Sequence, residues 1–380
     1  MFIINEKIIF KKFLTENTYF FLLTAFSITF IVWVIQAVNN LEIVSEDGHS
    51  FFVYSYYTML IFPKIFGKIL PIIFFTSLYY TISRYEDNNE LKIFWLNGIN
   101  KMSFYNVILK YTFVFFFIQI IIVSFLGPIS QSKARGYIQD STLDFFPSLF
   151  QEKKFIDTVE GLTIFIESKN SADEFTNIFL KDDTSQYPKI IFAKKGFLLL
   201  GNDKRVLRLL DGKFININEA GSATSFNFKK TDFNLSKFLT KTTTHKKIQE
   251  ISISRLIMCI NHVLVKNENT TYEEINCNKE SINEILSEVY KRIFKPLYLF
   301  LLSSIVIFLI TSNYENKNFK KIKFLIFYMG VFSIIISEIT VNYSGKSSLS
   351  MMLFIFLPLI IFLILSMIFY KKTNYKSKKL

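Results

Sequence analysis

The sequence predicts an α-helical membrane protein with six transmembrane helices in a three-plus-three arrangement and an extracytoplasmic all-β, jelly-roll-like domain inserted between the third and fourth. Three observations lead there. Hydrophobic residues make up 51% of the 380-residue chain and aromatic residues 17%, more than a soluble chain carries. Six apolar runs approach the ~20 residues that a helix needs to cross a bilayer core, three before residue 129 and three after 290. Between them, the sequence turns polar and breaks into short apolar runs. Residues 1–128 are therefore expected to hold helices one to three with a cytoplasmic segment at 84–100, residues 129–290 the β domain and a helical stalk, and residues 291–380 helices four to six.

The first run, about residues 13–38, follows Lys7, Lys11 and Lys12 and precedes Glu42, Glu46 and Asp47. That charge order sets the amino terminus in the cytoplasm. The run is long and lacks a small-x-small cleavage site, so it is expected to stay as an anchor. The second and third runs cover about residues 60–82 and 104–127, and the last three about 295–312, 322–341 and 351–370. Arg84, Lys92 and Lys101, then Lys317, Lys320, Lys321 and Lys323, and finally the lysines after Tyr370 fall on the side of the amino terminus, whereas the loops at 39–59 and 342–349 carry only Lys346. Both termini are expected in the cytoplasm and the middle region outside. Much of the formal charge of +13 flanks the apolar runs, which argues against nucleic acid as a partner.

The middle region reads as strands over 162–167, 177–180, 189–193, 196–200, 206–210, 213–217 and 225–228, rich in β-branched and aromatic residues. Lys194-Lys195-Gly196, Gly201-Asn202 and Asp211-Gly212 look like tight turns between them, a pattern that favours a sandwich or jelly roll. Residues 271–292 look helical. Cys259 and Cys277 are the only cysteines and have no metal-ligand spacing. Their spacing leaves a disulfide open without fixing one.

Chemistry is bounded by what the motifs lack. No GxxxxGK[ST] stretch occurs, so ATP binding of the P-loop type must come from a partner. His49, His245 and His262 stand apart from any nucleophile or carboxylate at catalytic spacing; neither enzyme activity, cofactor nor metal site is expected.

Pro63 and Pro71 lie at the head of the second run, where they start or kink the helix and offer a hinge. At its far end Glu90 begins a short helix, a position favoured for a carboxylate, and Phe94 and Trp95 read either as interfacial anchors or as docking residues. Gly98 is expected to end that helix in a left-handed conformation. Glu338, inside the fifth run, reads equally as a paired intramembrane acid or as a wet one near the interface.

Together these features resemble the LptF/LptG permease family, the paired membrane subunits of the transporter that extracts lipopolysaccharide. The resemblance runs over nearly the whole chain. It rests on the two prolines eight residues apart, on Asn89-Glu90-Leu91 through Asn97-Gly98-Ile99, on Ala193-Lys194-Lys195-Gly196 and Leu209-Leu210-Asp211-Gly212, and on Lys291, Arg292 and Pro296. Val32-Trp33-Val34-Ile35-Gln36 with Leu41-Glu42-Ile43-Val44 is more similar to the LptF member. Asn89 and Asn100 stand where the family usually has serine.

The resemblance implies an ABC-transporter permease subunit in the inner membrane of a Gram-negative cell envelope. Its partners would be an LptG-like subunit, the cytoplasmic ATPase LptB, LptC and lipopolysaccharide. Glu90, Leu91, Phe94, Trp95 and Gly98 would couple to the ATPase. Independently of the resemblance, the positive charges at the outer level break the topology rule: Lys64 and Lys68, four apart on one helix face, with Arg292 and Lys295 would form the core of an outer cationic rim for lipid head groups, with Lys133, Arg135 and Lys291 at the same level, or they are ordinary interface residues whose side chains snorkel without a ligand. A non-transport scaffold presenting the β domain is the alternative. A permease of the MacB or lipoprotein-export type places its large domain after the first span instead.

Overall fold

The computed structural model describes residues 6–45, 50–149, 152–159, 161–170, 174–183, 188–200, 205–217, 223–235, 247–263, 270–272, 275–277, 281–311, 319–345 and 348–377. In chain order the elements begin with helices α1 (Glu6–Asn39), α2 (Glu42–Ser45), α3 (Phe51–Asp87), α4 (Glu90–Leu96) and α5 (Lys101–Ile121). A π-helical turn, Ile122–Leu126, joins α5 to α6 (Gly127–Leu149). Strands β1 (Phe155–Val159), β2 (Leu162–Lys169), β3 (Glu174–Asp182), β4 (Lys189–Leu200), β5 (Arg205–Ile217) and β6 (Ala223–Asn234) follow. Next come α7 (Ile253–Asn261), the hairpin β7 (Thr270–Tyr272) and β8 (Ile275–Cys277), and α8 (Ile282–Val289). A second π-helical turn, Tyr290–Phe294, leads through a 3-10 turn into α9 (Tyr298–Ile307), with α10 (Phe319–Ser344) and α11 (Ser348–Ser377) last.

Six stretches among the described residues are long and apolar enough to cross a membrane: Glu6–Val44, Phe51–Asp87, Lys101–Ile138, Ile282–Thr311, Phe319–Ser344 and Ser350–Thr373. The three-plus-three pattern with an antiparallel sheet between the halves is therefore present, and the helices outrun the apolar runs that announced them. At 37 residues, α3 is about 55 Å long, well beyond the ~30 Å hydrocarbon core. Pro63 and Pro71 lie inside it rather than at its start. Residues 51–59, expected in a loop, are its first turns, and residues 129–149, expected with the β domain, continue as α6.

The chain divides into two compact units, one of Met1–Ile35, Leu60–Ser132 and Lys247–Leu380, the other of Gln36–Met59 and Lys133–Lys246. In the first, span four is the hub. Of its most apolar window 72% is buried, against 11% for span six, and α9 packs on α5, α10 and α11. Its polar groups are tied at both ends: Lys101 Nζ donates to the Ile310 carbonyl at 2.7 Å, and the Tyr290 hydroxyl donates to the Phe354 carbonyl at 3.0 Å. Elsewhere the bundle is joined by aromatic contacts such as Phe13 on Tyr85 and Phe21 on Phe115. Gly330 of α10 lets the Phe75 ring approach so closely that a Cβ there would fall 2.0 Å from Cζ.

The same unit holds α7 and the β7–β8 hairpin, joined by a disulfide between Cys259 and Cys277. Residues 271, 272 and 275–277, expected to open a helix, lie in this hairpin, and helix begins only at Ile282. The amphipathic α7 carries no turn or proline signal that sets it apart from its neighbours, and sequence reading missed it.

In the second unit the six strands pair in chain order, each antiparallel to the next. Two expected turns are not turns: Lys194-Lys195-Gly196 lies inside β4 and Asp211-Gly212 inside β5. Thr176 pairs with Lys195 and Ile178 with Ala193, while Lys195 pairs with Leu210 and Ala193 with Gly212. Asn177, Lys194 and Asp211 therefore share one row across the sheet. Asn177 and Asp211 adopt positive φ, 47° and 49°, which only short polar residues and glycine take readily. At this row the alternation slips: Phe175 precedes Ile178 and Leu180 on the buried face, as Ile191 and Ala193 precede Gly196. The strands are kinked together, so both halves keep their apolar side inward. The polar break that looked like a hairpin is the kink. Gly201-Asn202 lies outside the described residues. On β5 and β6 the paired Arg208 and Asp232 form two hydrogen bonds of 2.9 and 3.0 Å, and the guanidinium holds the Asp232 carboxyl below its ordinary pKa.

A β-branched residue at φ of 49° carries a penalty of roughly 1–2 kcal/mol. Asp211→Val should destabilise the sheet by about that amount and Asp211→Gly by less, read as amide hydrogen exchange of β5 in the purified full chain. Equal losses would show that the backbone conformation of residue 211 is not the constraint.

Candidate functional site

Two groups of sequence-predicted residues lie far apart along α3. The first is at its end. Asn89 takes φ of 58° and breaks the helix, so that α4 starts afresh at Glu90. Leu91 and Phe94 are buried, the Phe94 ring standing 5.9 Å from Tyr85 and 6.2 Å from Phe104. These two residues anchor α4 to its own bundle, which corrects the expectation that they face a partner. Trp95 is half-buried, with the Lys101 ammonium 5.2 Å from its ring. The outward face consists instead of Ile93, 54% exposed, and Leu96, 85% exposed. Their i, i+3 spacing equals that of Leu91 and Phe94, so the sequence marks two apolar faces on α4 without showing which one is outward.

Glu90 stands at the edge of that face, its carboxylate 3.9 Å from Lys12 Nζ. Lys12 also reaches Glu16, which pairs with Arg84. Gly98 adopts the left-handed conformation expected of it, with φ of 81°, and the Gly98 and Ile99 amides donate to the Trp95 and Phe94 carbonyls. Asn100 then caps α5, its side chain accepting from the Met102 amide at 3.0 Å. A serine would do the same there.

The second group surrounds the prolines. Each proline removes one backbone hydrogen bond from α3, leaving the Met59 and Gly67 carbonyls without their usual donors. Gly67 lies between them, and a Cβ on it would fall 2.9 Å from the Ile122 side chain in the first π-helical turn. Both π turns are followed, two residues later, by a proline, Pro128 and Pro296. The Arg292 carbonyl, which Pro296 deprives of its i+4 donor, accepts from the Ser124 hydroxyl at 3.5 Å, so a side chain of the first irregular turn serves a carbonyl of the second.

Arg292 itself is fully buried. Its guanidinium donates to Glu288 at 2.9 Å and to the Ile251, Gln249 and Ile248 carbonyls at 2.7, 2.9 and 3.4 Å. With four bonds made inside the chain it has no face for a head group, and the expectation that it grips a lipid is corrected. Lys295 is likewise buried and paired with Glu338, so the intramembrane acid has its partner. Glu288 was missed, although its place four residues before Arg292 was a legible signal.

Lys64 and Lys68 differ. Both are exposed, and neither makes an ion pair among the described residues. Lys64 lies within electrostatic reach of Lys291, Lys247, Glu250 and Glu288, and Lys68 of Lys295. Lys133 and Arg135 belong to the second unit. Among the described residues there is no cluster of three His, Cys, Asp or Glu that could hold a metal ion.

A family model described as lipopolysaccharide export system permease LptF/LptG matches residues 11–372. The chain is also 22% identical over 301 residues to a protein of Rickettsia prowazekii (strain Madrid E) described as uncharacterized, an alignment covering 78% of this chain and 79% of that one.

Removing one partner of a buried ion pair leaves the other uncompensated, at a cost of about 3–5 kcal/mol. Arg292→Gln should therefore lower the unfolding midpoint of the detergent-purified protein sharply, with or without lipid, whereas Lys68→Gln should leave it unchanged. A stable Arg292→Gln protein would return that arginine to the pool of ligand-binding candidates.

Proposed function

The chain belongs to the LptF/LptG family of lipopolysaccharide export permeases, and from that premise we propose that it is one of two paired permease subunits driven by a separate ATPase, extracting lipopolysaccharide and passing it to a periplasmic β-jelly-roll bridge. The observation that carries this reading is α4. A short helix pinned to the bundle by Leu91 and Phe94 presents Ile93 and Leu96 to the outside next to Glu90, a combination that suits insertion into an apolar cleft with a basic rim. The ATPase would be LptB, the sister subunit LptG-like if this is the LptF member, and the acceptor LptC. Both termini and α4 would face the cytoplasm, as the lysine distribution favours.

Coupling follows from continuity. From Asp87 to Lys64 a single helix spans about 35 Å, so a displacement of α4, passed on through the short Asn88–Asn89 turn and the packing of Leu91 and Phe94, would reach the other end along one helix. That end contains the Pro63–Pro71 segment, where two missing hydrogen bonds lower the resistance to bending. Lys64 and Lys68, four residues apart and hence on one face, ride on this segment. Their exposed ammonium groups would hold the phosphates of lipid A while its acyl chains enter the membrane cavity, and bending would change their position when ATP is used. The exposed apolar faces of α1 and α10, with Phe26, Phe30, Phe324 and Phe332, are available to the sister subunit and to lipid.

Replacing Ile93 and Leu96 with Glu should abolish co-purification of the ATPase, since each buried side chain contributes about 1.5–3 kcal/mol; Glu90→Lys should weaken it. Leu91→Ala should instead destabilise the permease. A complex that survives the Ile93/Leu96 double replacement would count against α4 as the docking element and favour the scaffold reading.

For the cationic pair the expected signature is opposite. Lys64→Gln with Lys68→Gln should keep the ATPase bound and reduce lipopolysaccharide-stimulated ATP hydrolysis. Unchanged stimulation would remove these lysines from the lipid path.

A further inference from the structure

A charged residue with no assigned task lies on the outward face of α5. Lys110 is nine residues beyond Lys101, about 13 Å along the helix, within a stretch apolar enough to cross the membrane. It is exposed and makes no ion pair or hydrogen bond among the described residues. An unpaired lysine facing lipid at that depth is costly and calls for a partner outside the chain. Helical side chains lean toward the amino-terminal end, so the ammonium group turns back toward the level of Asn106, which is exposed one turn earlier.

Apolar grooves flank this lysine on both sides. One, of about 700 Å³, runs between α1 and α5 and includes Phe10, Leu14, Leu22 and Val107, with Lys7 and Lys11 near its end. The other, of about 430 Å³, lies between α5, span four and α11 and includes Phe113, Leu297, Phe300 and Phe362 together with Lys110. Val107, Lys110 and Phe113 step about 60° apart around the helix, which centres the cation on the ridge between the grooves.

We propose that this face binds an anionic phospholipid, its phosphate on Lys110 and its two acyl chains in the grooves on either side of α5. One charge between two apolar channels fits a diacyl lipid. A partner helix bearing a carboxylate would fill one groove and leave the second, and the cations Lys7 and Lys11, without a role. The assignment to the cytoplasmic leaflet rests on the orientation proposed above; the binding itself does not.

The test uses the full permease complex in nanodiscs of phosphatidylcholine with or without phosphatidylglycerol, reading lipids retained after release by native mass spectrometry. The wild type should retain phosphatidylglycerol over phosphatidylcholine, Lys110→Gln should lose that preference about fivefold, as expected for one lysine at an anionic surface, and Lys110→Arg should keep it. Wild-type retention by a folded Lys110→Gln complex would overturn the proposal. So would a photo-crosslinker at Val114 that captures a transmembrane protein segment in place of lipid. Labelling of Asn97→Cys by a membrane-impermeant maleimide from the periplasmic side would overturn the leaflet assignment alone and leave the lipid-retention result standing.

Discussion

The buried guanidinium of Arg292 is the interaction on which the bundle's centre depends. It sits where the chain re-enters the membrane portion, and it gathers the Glu288 carboxylate and the carbonyls of residues 248, 249 and 251 around one planar cation. An isolated charge could not be buried there, because desolvation would exceed any single attraction. Four hydrogen bonds make the burial tolerable, and their geometry fixes where the segment before α7 meets the start of span four. Because α9 touches helices on several sides, an error at its entry would propagate to α5, α10 and α11.

Backbone polarity imposes the second constraint. In lipid each freed carbonyl must find a donor within the protein, yet the chain places prolines at 63, 71, 128, 296 and 358 within or beside its spans. Two of these follow π-helical turns, and the Ser124 hydroxyl bridges one turn to the carbonyl exposed by the other. The two π-helical turns thus meet in a seam beside the α3 prolines. Such a seam lets a long helix bend without exposing peptide groups to acyl chains, and this is why the proposed lever and the proposed cation site coincide there.

The cationic residues separate by environment into two kinds. Arg292 and Lys295 are buried and paired with the carboxylates of Glu288 and Glu338, and they hold the fold. Lys64, Lys68 and Lys110 are exposed and make no ion pair among the described residues, and an ammonium on a flexible stem suits a phosphate that arrives and leaves. Lysine occurs in both kinds, so residue type alone does not sort them. Only packing distinguishes them.

What the sequence determined by itself was the count of spans, the insertion between the third and fourth, the left-handed Gly98 and the restart of helix at Glu90. Hydropathy, glycine conformation and helix breaking act over a few residues and are legible within a short window. Tertiary structure decided the rest. It turned Leu91 and Phe94 inward and Ile93 and Leu96 outward, because α4 is too short for its pattern to say which side meets the bundle. It converted Asp211-Gly212 from an apparent hairpin into a shared kink, because pairing with β4 and β6 on both sides holds the strand extended through a residue whose local preference is to turn. It claimed Arg292 for the interior through carbonyls more than forty residues away, a distance across which a sequence pattern carries no signal.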